Sequence, residues 1–189
     1  MIEVTDVPIH AFRRNVAYGS AHGISIQYNG FRGTDRLGHN DFDRPKNAGV
    51  NVVEDLVAWS NEIGVQVYYG GQVIVRNVTI IGRVTNPSGT GLSANIGTQN
   101  LTIENASIEG YRFGVRAPRR GRTVIDGGFF RNVEDIRISS NDFPGDRAAL
   151  KSSGLREVIV TGEIEFAPLT ESALRGRTRI HINPRTNLT

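Results

Sequence analysis

The chain contains no cysteine and one tryptophan, and only 7% of its residues are aromatic. Without cysteine, a disulfide framework and a thiolate metal site are both excluded. No apolar run is long enough to cross a membrane as a helix, and no signal-peptide core follows Met1. Met1 leads straight into a strand-like stretch, which fits either a piece of a longer exported protein or a whole cytoplasmic one. Lysine is almost missing as well. Of 22 basic residues only Lys46 and Lys151 are lysine, and the rest are arginine. Arginine suits bidentate binding of carboxylate, sulfate or phosphate, although a GC-rich genome would give the same bias. There is no tail of one charge sign, since 19 acids accompany the bases for a net charge of +3, which argues against nucleic acid as the partner. No phosphate-binding loop, dinucleotide fingerprint, zinc pattern or nucleophile elbow occurs.

What is present is repetition. Val73-Ile74-Val75-Arg76-Asn77-Val78-Thr79-Ile80 returns as Leu101-Thr102-Ile103-Glu104-Asn105-Ala106-Ser107-Ile108, and again as Thr123-Val124-Ile125-Asp126-Gly127-Gly128-Phe129-Phe130. A period in the twenties with strand alternation and no helical period is the signature of a stacked β-solenoid. Each repeat carries two turn nodes. The first holds Asn15, Asp55, Asn77, Asn105 or Gly127, residue types that tolerate a left-handed backbone. The second holds Gly23, Gly64, Gly91, Gly114 or Asp135, where glycine implies a turn with no room for a Cβ. After the second node, Ile24/Ile26, Val65/Val67, Leu92/Ala94, Val115/Ala117 and Ile136/Ile138 form two interior columns. Ser25, Gln66, Ser93, Arg116 and Arg137 then line up as an exterior stripe.

The expected fold is all-β: a single domain over 1–189 formed by a single-stranded parallel β-helix of about six coils. A polar loop over 29–49 interrupts it, a shorter one over 82–90 follows, and residues 139–157 form a second excursion. The last coil and tail, 167–189, are frayed, with one more strand near Ile180-His181-Ile182. Asn77, Asn100 and Asn105 match the glycosylation pattern, but Asn77 and Asn105 are read as turn residues.

Three sets of residues bear chemistry. His22, Asp41 and Asp43, with Asp35 and His39 nearby, offer acid–base groups or oxygen ligands for Ca2+. A solvated polar loop accounts for the same acids, and a backbone-bonded turn residue accounts for His22. Tyr28, Tyr69, Tyr68 and Trp59 are expected as near-neighbours on which sugar rings stack. Tyr28 packing beneath the loop is the competing reading. Arg116 and Arg137, with Arg119, Arg120 and Arg122, make a basic exterior patch suited to an anionic polysaccharide, or simply to solubility.

The stretches Phe12-Arg13-Arg14-Asn15-Val16-Ala17-Tyr18-Gly19-Ser20-Ala21-His22-Gly23-Ile24 and Asp55-Leu56-Val57-Ala58-Trp59-Ser60-Asn61-Glu62-Ile63-Gly64-Val65 give the resemblance. Over roughly residues 5–166 the chain resembles right-handed parallel β-helix proteins of the pectate-lyase-like superfamily. More narrowly, these two coils resemble those of large G8-domain-type secreted surface proteins. The resemblance implies a right-handed coil, in line with the parallel-crossover rule, and extracellular or cell-surface carbohydrate work. It leaves three functions open: a polysaccharide-binding module, a lyase or C5-epimerase acting on a uronate polymer, and a structural spacer or adhesin segment. The Asp-Pro-His-Asp epimerase motif, a paired-Asp hydrolase motif and a lyase motif supplying a base are all missing.

Overall fold

The computed structural model describes residues 12–27, 50–68, 72–94, 98–118, 120–138, 156–167, 169, 180–182 and 187–188. In chain order these give β1 (Phe12–Arg13), β2 (Val16–Tyr18), β3 (His22–Gln27), β4 (Asn51–Glu54), β5 (Val57–Trp59) and β6 (Ile63–Tyr68). Next come β7 (Val73–Arg76), β8 (Thr79–Ile81), β9 (Thr90–Ser93), β10 (Gln99–Glu109) and β11 (Phe113–Arg116). The series ends with β12 (Arg120–Arg131), β13 (Glu134–Ile138), β14 (Arg156–Phe166), β15 (Ile180–Ile182) and β16 (Asn187–Leu188). No helix occurs among the described residues, and every strand pairing is parallel.

Two sheets carry the architecture of a parallel β-solenoid. The larger runs β1-β4-β7-β10-β12-β14-β16, with β2-β5-β8 joining the far half of β10. The smaller runs β15-β13-β11-β9-β6-β3. Parallel pairing stacks each residue on its counterpart in the next strand, so like residues form columns at a spacing of about 4.8 Å. One interior column is Phe12, Val53, Val75, Ile103, Ile125 and Val160. Another is Ala17, Ala58, Ile80, Ile108, Phe130 and Phe166. The smaller sheet supplies Ile24, Val65, Leu92, Val115 and Ile136. Most of these side chains are wholly buried, and each fully buried aliphatic one contributes on the order of 2 kcal/mol against the entropy of ordering it.

The node ladder is real, with one correction in its first member. Asp55, Asn77 and Asn105 have φ of 53°, 52° and 49°, and Gly127 and Gly162 continue the left-handed series. In the first repeat the left-handed residue is Arg14, at φ 57°, not Asn15. The reason is register. Phe12, not Arg13, enters the interior column beside Val53, which places Arg13 beside Glu54. Outside the bend the column then reads Arg13, Glu54, Arg76, Glu104, Asp126 and Thr161. Arg76 donates to Glu54 from Nε at 2.7 Å, and Arg13 Nε lies 3.4 Å from the same carboxylate. Asn105 Nδ2 donates to Asn77 Oδ1 at 3.1 Å, so these two asparagines hold each other.

At the second node the glycines are needed for space. A Cβ on Gly91 would strike Ile108 Cγ2 and stand 2.8 Å from the Gly114 carbonyl. On Gly114 it would stand 2.5 Å from the carbonyl of Asp135. The coils lie so close here that backbone meets backbone. The long loop at 29–49 and all but the last two residues of the 139–157 excursion lie outside the described residues, and β14 begins at Arg156.

Two outcomes follow. Gly91→Ala lowers the urea unfolding free energy by about 1–3 kcal/mol through overpacking. Gly19→Ala, with nothing within 4 Å and φ +63°, costs about 1 kcal/mol for backbone conformation alone. The second concerns Tyr111, which is fully buried and whose hydroxyl makes no hydrogen bond among the described residues. Burial pushes that hydroxyl up from 10.0 to about 12. The unfolded chain therefore ionises first on raising pH. Stability present below the unfolded value is lost as pH rises towards the folded one, by about 1.4 kcal/mol per pH unit. Tyr111→Phe removes this alkaline slope in a denaturation series across pH.

Candidate functional site

The strands after the bend of the larger sheet present two outer columns. One holds Val16, Val57, Thr79, Ser107 and Phe129; the other holds Tyr18, Trp59, Ile81, Glu109 and Arg131. Along most of their length they are polar or half-buried, and Arg131 is paired with Glu109. At the β2–β5 end they turn apolar and open. Tyr18 is 69% exposed and Trp59 47%, flanked by exposed Val16 and Val57. The two rings meet edge to face, with centroids 5.7 Å apart and planes at 78°. Such contacts limit each ring's freedom, so the pair stands as a preformed platform on a rigid sheet.

Next along the chain from this platform is a polar pocket. Gly19, Ser20 and Ala21 follow Tyr18, and Ser60, Asn61 and Glu62 follow Trp59. Together with Arg83 and Ser88 they enclose about 450 Å³, within the range of roughly 300–1,000 Å³ usual for small-ligand sites. Left-handed turns at Gly19 and Ser60, φ 63° and 53°, swing the chain from one sheet to the other. The buried Asn61 locks the corner. Its Oδ1 accepts from Ser20 N–H at 3.0 Å, and its Nδ2 donates to the Ala17 carbonyl at 3.2 Å. Ser20 Oγ lies 2.6 Å from the His22 carbonyl and 3.0 Å from Asn61 Oδ1. Asn132 repeats this device further along, accepting from Tyr111 N–H and donating to the Ile108 carbonyl. The pocket's far wall is the insertion between β8 and β9. Two or three residues separate β2 from β3, β5 from β6, β10 from β11 and β12 from β13; here Gly82–Gly89 bulges out and brings in Arg83 and Ser88.

The arginines of the smaller sheet gather elsewhere. Arg116 and Arg137 are register partners on β11 and β13, and both lie over the Phe113 ring. Arg137 Nε donates to Glu134 Oε1 at 2.9 Å. Arg122 belongs to the larger sheet, on β12, so it does not join them. The side chains of Arg119 and Arg120 lie outside the described residues.

Several expectations change on this geometry. Trp59 does not neighbour Tyr68: it lies on the larger sheet and Tyr68 ends β6 of the smaller, because the corner at 60–62 separates them. Its aromatic neighbour is Tyr18. The register of Ser25, Gln66, Ser93, Arg116 and Arg137 holds, but the stripe is not open. Gln66 is 1% exposed and Ser93 3%. Alternation along a strand decides which way a side chain points, not whether that face is covered. His22 begins β3, exposed, with no side-chain hydrogen bond or ion pair to the described residues. Tyr28, Tyr69, Asp41 and Asp43, with Asp35 and His39, lie outside the described residues. Among the described residues no three His, Asp or Glu side chains are placed to hold a metal ion such as Ca2+. Two larger concavities, about 650 and 680 Å³, follow the left-handed bend past Glu104, Asp126 and Glu163. They are shallow troughs without an exposed aromatic, so the corner pocket is the stronger site.

Tyr18, Ser20, Ser60, Glu62, Arg83 and Ser88 were not singled out in the sequence. The signal that would have found Tyr18 is its alignment with Trp59, each four residues past the first node once Arg14 is given that role. Asn61→Ala removes the hydrogen bonds to Ser20 and Ala17, and lowers unfolding free energy by about 2 kcal/mol in a urea titration. No protein-family model, curated protein or solved structure matches the chain.

Proposed function

We propose that this chain is a carbohydrate-binding module, a right-handed β-helix of about six coils of the pectate-lyase-like kind, working outside the cell or on its surface. The observation that carries this reading is the exposed Tyr18–Trp59 pair beside a pocket of hydroxyl, carboxylate and guanidinium groups. Sugar rings present apolar C–H faces and hydroxyl edges, so an aromatic surface next to convergent polar groups matches both. The platform belongs to sheet and the pocket floor is pinned by Asn61, so little conformational freedom is lost on binding. A polysaccharide is favoured over an isolated sugar because the platform lies open at its edge.

The chain's single tryptophan is Trp59, so its fluorescence reports directly on the platform. Titration with a panel of neutral and acidic polysaccharides shifts or quenches that emission for the cognate polymer. Tyr18→Ala weakens binding by about 2 kcal/mol, roughly thirtyfold in Kd, and Trp59→Ala does the same by calorimetry. Emission unchanged by every polymer would defeat the reading. Release of unsaturated products in the same panel would instead make it a lyase.

A further inference from the structure

Three guanidinium groups surround one ring on the smaller sheet. The Cζ atoms of Arg112, Arg116 and Arg137 lie 5.1, 5.7 and 4.1 Å from the Phe113 centroid. Arg116 and Arg137 are stacked in register, a relation in which like charges repel. Contact with the ring offsets part of that, at about 0.5–1 kcal/mol for each exposed cation, and Glu134 holds Arg137. A planar guanidinium fork held beside a flat apolar ring is suited to a tetrahedral or planar oxyanion, which accepts two parallel hydrogen bonds from one such fork.

This cluster is joined to the corner pocket. The N–H of Arg112 donates to the Ser88 carbonyl at 3.4 Å, and that of Phe113 to the Gly89 carbonyl at 3.2 Å. Ser88 lines the pocket. The loop that walls the pocket is therefore hydrogen-bonded to Arg112 and Phe113, at the start of the strand that carries Arg116.

We infer that Arg112, Phe113, Arg116 and Arg137 form a subsite for a sulfate or carboxylate group on the sugar polymer held at the corner. The inference rests on the carbohydrate reading and adds what that polymer carries. The ligand passes from the Tyr18–Trp59 platform, over Arg83 and Ser88, to the Phe113 cluster, so one anionic residue lies a short distance along the chain from the stacked ring.

The test uses one oligosaccharide in three forms, neutral, uronic-acid and sulfated, titrated against Trp59 emission. The anionic forms bind roughly tenfold tighter than the neutral one, from one charge-assisted contact, and high salt erodes the difference. Arg112→Gln, at an exposed position, removes the difference and leaves neutral binding unchanged. Phe113→Leu does the same while keeping every charge. The carboxylate and sulfate arms identify which oxyanion is preferred. Equal affinity for all three forms overturns the inference, as does an anionic preference that Arg112→Gln leaves intact. Silence of Trp59 with every sugar defeats the carbohydrate reading by itself. Calorimetry with inorganic sulfate then decides the subsite: binding abolished by Arg112→Gln supports it, and no binding overturns it.

Discussion

The interaction on which everything else depends is the parallel backbone ladder that seats each residue on its counterpart. Parallel hydrogen bonds fix the axial step at about 4.8 Å, so a residue's neighbours are chosen by its column, not by its position in sequence. A column of β-branched and aliphatic side chains then packs into a continuous core, as Val53, Val75, Ile103 and Ile125 do. A column of charges must alternate or find help. Outside the bend, Arg13, Glu54 and Arg76 alternate, and the hydrogen bond from Arg76 to Glu54, followed by their Coulombic attraction, raises the arginine above its ordinary value. Between Arg116 and Arg137, where alternation fails, both guanidinium groups lie against the ring of Phe113.

The same ladder explains why the corners are so restricted. A corner that turns within two or three residues must still return the chain in register, so carbonyls of one coil face the Cα atoms of the next. Glycine at 23, 64, 91 and 114 is the only residue small enough. The one place where the ladder admits extra chain is the corner itself, because an insertion there leaves both flanking strands paired. Gly82–Gly89 uses that freedom, and the result is a pocket wall beside the sheet face. Function on this fold is therefore expected at corners next to sheet faces, which is where Tyr18 and Trp59 meet Ser20, Ser60, Arg83 and Ser88.

Much of the fold was legible before any coordinates. The repeats beginning at Val73, Leu101 and Thr123 are paired in that register, and Asn77, Asn105 and Gly127 hold the left-handed bend. Less of the site was legible. Trp59 was singled out, but with Tyr68 as neighbour, since distance along the chain hides an intervening corner. Asn61 and Asn132 went unnoticed: each bonds to chain 21 to 44 residues away, and the insertion at Gly82–Gly89 breaks the spacing between such positions.

By itself the sequence determined the repeat, the two nodes and the interior columns, because these depend on the period-two alternation of strands and on the backbone tolerance of Asn and Gly, both local properties. Tertiary structure alone decided which outer positions are open. Gln66 and Ser93 point outward and are buried, whereas Tyr18 and Trp59 point outward and are exposed. Covering a face depends on chain brought from far away in sequence, and no local pattern records it.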